Sequence, residues 1–213
     1  MNQLFDLANG FIATSIIIIV IGIINYKTLV QFNALRVLFY LVIISVISDI
    51  ASTYMQANGI HNIWLFNVYN IIEYSLFAVF YLTLFNVNKS WKLAIGIFYI
   101  VAFGIMIIAT ATQSFQLHLN SASMGLKSII LICSAVFYFK DMLSKLEYET
   151  PWENPFFWIN SGILLFFSGG FFIFIFSDYR DTTRMINLWD IHNIIHIIYN
   201  ILIIIGFWKA RKI

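Results

Sequence analysis

The chain has 213 residues, 61% of them hydrophobic and 10% charged, with a formal net charge of +2. Those proportions exclude a soluble globular domain and make the chain an integral membrane protein, while so small a charge, spread over short loops, excludes a nucleic-acid-binding stripe. The single cysteine, Cys133, lies inside an apolar run, which excludes a disulfide or cysteine-metal framework.

Apolar runs of membrane-spanning length fall at roughly 8 to 25, 37 to 57, 62 to 86, 92 to 112, 121 to 140, 156 to 177 and 187 to 208. They predict an all-α protein whose whole length, 1–213, is one domain of seven transmembrane helices. Trp64, Trp91, Trp152, Trp158, Trp189 and Trp208 fall at or near the predicted ends, where indole prefers the headgroup level. Lys27 and Arg36, Lys89 and Lys92, Lys140 and Lys145, and Lys209, Arg211 and Lys212 mark one side, against Arg180 and Arg184 on the other. The positive-inside rule then places the N-terminus outside and the C-terminus in the cytoplasm. Residues 1–10 carry Asp6 and no Lys or Arg, which predicts a retained first helix rather than a cleaved signal peptide. The Ile-, Asn- and Phe-rich composition suggests an A·T-rich bacterial genome, and the expected location is the bacterial inner membrane.

The first helix is apolar apart from Thr14, Ser15 and Asn25 and is assigned packing alone. On the second, Ser45, Ser48, Asp49 and Ser52 recur at i, i+3, i+4 and i+7 and share one face. The third carries Asn67, Asn70 and Tyr74 on one face with Glu73 at its edge, about 16 Å deep by the helical rise. The fourth has no ionisable group past Lys92 and is assigned a structural role. Lys127 lies about two turns into the fifth, where its stem can also snorkel to the interface. The sixth holds Asn160, Ser161 and Ser168-Gly169-Gly170, whose small residues favour close helix packing. The seventh carries His192, Asn193 and His196; at i, i+4 both rings can reach one ion or substrate.

Two alignments suggest an internal repeat. Ser15 through Lys27 matches Ser128 through Lys140 without gaps, and Tyr69-Asn-Ile-Ile-Glu73 resembles His192-Asn-Ile-Ile-His196. Helices one to three would match five to seven in a 3+1+3 parallel arrangement.

Ionisable groups at membrane depth are rare and mark sites. Asp49, Glu73, His192 and His196 are expected near one level of the outer half, where two carboxylates need a metal, an ion pair with Lys127, or protonation. Two imidazoles with one or two carboxylates form the ligand set of a catalytic zinc centre. Against it stands the plainer reading, in which His192, Asn193, His196 and Asn200 only hydrogen-bond between helices.

Helix count, an outside N-terminus, Ser45-x-x-x-Asp49 on the second helix and His192-x-x-x-His196 on the seventh resemble the membrane hydrolase superfamily of alkaline ceramidases and progestin/adiponectin-receptor proteins. In that family the second-helix motif is Ser-x-x-x-His and the third helix gives an Asp; here Asp49 and Glu73 stand at those places. The resemblance implies a zinc-dependent hydrolase of a lipid ester or amide, with Asp49, His192 and His196 on the metal. Ser45, Glu73 and Lys127 would serve catalysis, and Asn67, Asn70 and Asn193 would bind substrate. The competing expectation is a small-solute transporter or sensor without a metal. Neither Pro151 nor Pro155 lies mid-helix, the seventh helix has no lysine for a retinal Schiff base, and any signalling output would need a partner or a homo-oligomer.

Overall fold

The computed structural model describes residues 2–112, 120–144, 150–176 and 182–212, and all elements among them are helical. In chain order they are α1 (Asn2–Ile24), α2 (Tyr26–Gln31), α3 (Asn33–Ala57), α4 (Ile63–Leu84), α5 (Lys89–Thr112), α6 (Ser121–Ser144), α7 (Pro155–Phe176) and α8 (Thr182–Lys209), with single 3₁₀ turns at Pro151–Glu153 and Ala210–Lys212. Arg180 lies outside the described residues, as do the side chains of Arg184 and Trp189.

Six helices, α3 to α8, contain stretches long and apolar enough to cross a membrane, and α1 adds the shorter apolar stretch Ile12–Ile24. The chain is therefore an integral membrane protein. Runs such as Ile16–Ile19 have weak helix propensity in water because their branched side chains are stiff. Hydrocarbon reverses that preference, since only a helix satisfies every backbone group of a lone segment internally. Ile97, Phe98, Ile100, Val101, Ile105 and Ile108 on α5 all stay exposed, a face that suits lipid and not water.

Helix ends follow local chemistry. α3 stops where Gly59 takes a positive φ of 67° and Ile60 N–H reaches back to Met55 O at 2.9 Å, the left-handed closure glycine permits. Asn88 Oδ1 accepts from Trp91 N–H at 2.9 Å at the start of α5, and Asn120 Oδ1 accepts from Ser123 N–H at 3.0 Å at the start of α6. Pro155 opens α7, where a missing N–H has no consequence. The predicted bounds agree to within a few residues except at two starts, α1 beginning at Asn2 and α8 at Thr182, each over a more polar stretch than its apolar run. One break was not foreseen. The first helix ends at Ile24, and Asn25, 5% exposed, separates it from α2 while its Nδ2 donates to Phe207 O at 3.4 Å.

The chain forms two compact units, residues 1–30 with 128–213 and residues 31–127, so the division falls inside α6. In the first, α8 packs against α7 and α1. Glycine makes that possible: a Cβ on Gly206 would lie 2.6 Å from Ile159 Cγ1 and 3.0 Å from Pro155 O, and one on Gly162 would lie 3.3 Å from the Tyr199 ring. Asn200 Nδ2 bonds Thr14 and Ser15 hydroxyls at 2.9 Å each. In the second unit, α3 and α4 form an antiparallel hairpin, and α5 packs on α4.

The tight α7–α8 contact yields a first prediction. Gly206→Ala must displace a backbone carbonyl or a branched carbon, and should destabilise by about 1–3 kcal/mol. Gly104→Ala on α5 meets nothing within 4 Å and should be neutral or slightly stabilising. Melting temperatures of the two purified variants in one detergent should fall on opposite sides of, or level with, the wild type for Gly104 and clearly below it for Gly206.

Candidate functional site

The second unit is built around a ladder of polar rungs between α4 and the first turns of α6. Asn67 Oδ1 accepts from Asn120 N–H at 3.2 Å, Asn70 Nδ2 donates to Ser123 Oγ at 2.9 Å, and Lys127 Nζ is ion-paired with Glu73 Oε2. Tyr69 OH donates to the other Glu73 oxygen, Oε1, at 3.3 Å. Thr110 near the end of α5 extends the ladder by accepting from Asn120 Nδ2 at 3.0 Å. Asn67, Asn70, Asn120 and Ser123 are each 1% exposed, Lys127 4% and Glu73 7%. The spacing produces this geometry: 67, 70 and 73 lie on one stripe of α4, and 120, 123 and 127 on one stripe of α6.

Of the three escapes open to a membrane carboxylate, the structure shows the ion pair for Glu73. Lys127 does not snorkel; its ammonium is buried beside the carboxylate. Glu73 belongs to the ladder rather than to its edge.

Asp49 belongs to the same unit. The Ser45 hydroxyl hydrogen-bonds its carboxylate, and Glu73 lies close enough for the two carboxylates to interact. Its Oδ2 is enclosed and has no hydrogen-bond partner. Along the same α3 stripe, Ser48 and Ser52 are buried, and Ser52 Oγ accepts from Asn62 Nδ2 at 2.7 Å.

The histidine pair belongs to the first unit. His192 and His196 rings lie 6.3 Å apart, and both stand against Phe166 of α7, at 5.3 and 5.1 Å between centroids. Tyr199 completes the cluster at 5.0 Å from Phe166 and 5.9 Å from His196. Asn193 is half-buried on α8. Asn160 and Ser161 of α7 bond carbonyls of their own helix, Phe156 O and Phe157 O, each at 2.8 Å.

Whether zinc fits depends on the ligand count. Among the described residues no three His, Cys, Asp or Glu side chains are grouped so that they could hold one metal ion. Among the described residues the imidazoles of His192 and His196 stand as two candidate ligands, and a catalytic zinc centre asks for three.

Asn120, Ser123 and Thr110 were not singled out in the sequence, nor was Phe166. The first two had a usable signal, since they precede Lys127 at helical spacing. Phe166 had none, being one phenylalanine of several on an apolar helix.

The buried pair makes a sharp prediction. Lys127→Met leaves a buried carboxylate uncompensated and should cost about 3–5 kcal/mol, whereas Glu73→Gln/Lys127→Met removes both charges and should be near neutral. Denaturant titration of the variants in micelles measures both, and equal losses in single and double variants would refute the coupling. No protein-family model, no curated protein and no solved structure matches the chain.

Proposed function

We infer that this protein is a small-solute transporter or sensor of the bacterial inner membrane, with seven spans, an outside N-terminus and no metal in its working site. The observation that carries this reading is the Glu73–Lys127 pair, enclosed at membrane depth within a ladder of amide and hydroxyl groups. Asn67, Asn70, Glu73 and Lys127 offer a polar solute both charges and both kinds of hydrogen bond. A solute carrying a carboxylate or an amine can replace one member of the pair, and binding then shifts the population of helix arrangements by its differential affinity for them. The helices α3, α4 and α5 run unbroken, so side chains rather than unwound backbone supply the ligands. As a sensor the chain would pass the change to a second copy or to a signalling partner.

The metal-dependent lipid hydrolase keeps one supporting observation, the adjacent His192 and His196 rings on one face of α8. Membrane lipid would be its substrate, and Ser45 its oxyanion donor. Elemental analysis separates the two. Zinc at one equivalent per chain, lost with His192→Ala, would establish the hydrolase reading; protein that folds and binds solute without zinc excludes it.

The solute reading is tested by a thermal-shift screen of purified protein against neutral and zwitterionic solutes: amino acids, sugars and nucleosides. At least one should raise the wild-type melting temperature and leave that of Glu73→Gln/Lys127→Met unchanged. A panel in which no solute distinguishes the two proteins overturns this assignment of the site.

A further inference from the structure

One end of the first unit gathers three segments that lie far apart in sequence. A Cβ on Gly10 would touch Ile197, Thr14 and Ser15 bond Asn200, and Asn25 bonds Phe207 O, so α1 and α8 run parallel and finish at one level. The start of α7 reaches the same level, because Gly206 lies against Pro155 O and Ile159.

The side chains at this end are basic and aromatic. Lys27 follows Asn25 by two residues, and Lys209 and Arg211 follow Phe207 by two and four. Lys27 and Arg211 are exposed, and Lys209 is half-buried. Among the described residues none of the three is ion-paired. Residues 7–48 and 191–213 contain no Asp or Glu, so no acid accompanies them along their own segments, and Glu153, two residues before Pro155, is exposed. Tyr26, Trp152 and Trp208 are each more than half exposed. The Arg211 guanidinium carbon stands 4.5 Å from the Trp208 ring centroid, a cation–π contact that holds the planar fork beside the indole.

Lys209 closes the last turn of α8, where a cation complements the helix dipole. Lys27 and Arg211 have no such task. Amphipathic rings settle at the level of lipid headgroups, and basic side chains near a membrane surface attract anionic lipid. A guanidinium matches two phosphate oxygens at once. A soluble anion would meet the same charges, but it has no use for three exposed rings or for the apolar surface directly below them, where Val20, Ile23 and Ile24 of α1 are half exposed or more.

We propose that the end of the first unit where α1 and α8 finish binds one anionic phospholipid, its phosphate held by Lys27, Lys209 and Arg211 and its acyl chains lying along Val20, Ile23 and Ile24. This surface is separate from the polar ladder of the second unit and does not depend on what that ladder binds.

The test is native mass spectrometry of the purified full-length chain released from micelles holding equal amounts of phosphatidylglycerol and phosphatidylcholine. One lipid per chain should be retained, with phosphatidylglycerol favoured by about tenfold. Lys27→Gln/Arg211→Gln should reduce that ratio by about fivefold or more. Lys27→Arg/Arg211→Lys keeps both charges and should preserve the preference, which separates loss of charge from loss of fold. Lys89→Gln/Lys92→Gln removes two exposed cations from the second unit and should leave the ratio unchanged. Equal retention of the two lipids by the wild type, or an equal fall in the Lys89→Gln/Lys92→Gln variant, overturns the proposal. Displacement of the retained lipid by millimolar glycerol phosphate would assign the charges to a soluble phosphate and overturn the lipid as occupant.

Discussion

Hydrocarbon does not solvate charge, and this constraint shapes the second unit more than any apolar contact does. A carboxylate at Glu73 and an ammonium at Lys127 need a partner of opposite charge or a change of protonation, and here they pair with each other. Their pairing shares one register with the neutral rungs: 67 with 120, 70 with 123, 73 with 127. Numbers rise together along both helices, so α4 and α6 run in the same direction, as alternate crossings of one membrane should. Isoleucine and phenylalanine contacts cannot set a register this way, because lipid tails satisfy them equally well.

The first unit solves the association problem by other means. There α8 approaches its neighbours closely where glycine lacks a side chain, at Gly162 and Gly206, and is tied to α1 through Asn200 with Thr14 and Ser15. The imidazoles of His192 and His196 lie in an aromatic group with Phe166 and Tyr199. That environment suits two packed rings between helices as well as it suits half of a ligand set.

Helix existence was legible because an apolar run of membrane length has one structural solution. The stripes on α3 and α4 were legible because polar residues at helical spacing stand out against an apolar background. The break at Asn25 was not, since it depends on an amide reaching Phe207, far away in sequence. Lys127 shows the limit most clearly. Its depth allowed snorkelling, metal-site service or an ion pair, and only the direction of its stem, set by the packing of α6, distinguishes them. Asn120, Ser123 and Thr110 were missed because short polar side chains near helix ends resemble caps, and Asn120 is in fact both a cap and a rung.

The ladder also bears on whether the ion pair exists for stability. Replacing a buried pair with apolar groups of similar volume is often neutral or stabilising, so stability alone does not account for one. Nor does register account for it here, because the rungs at Asn67 and Asn70 already fix α4 against α6 without any charge. What a charged rung adds to neutral ones is exchangeability: each partner, once separated, must be given a substitute of its own sign. A neutral amide rung carries no such requirement of sign. Charge is therefore what separates the third rung chemically from the two neutral rungs at Asn67 and Asn70.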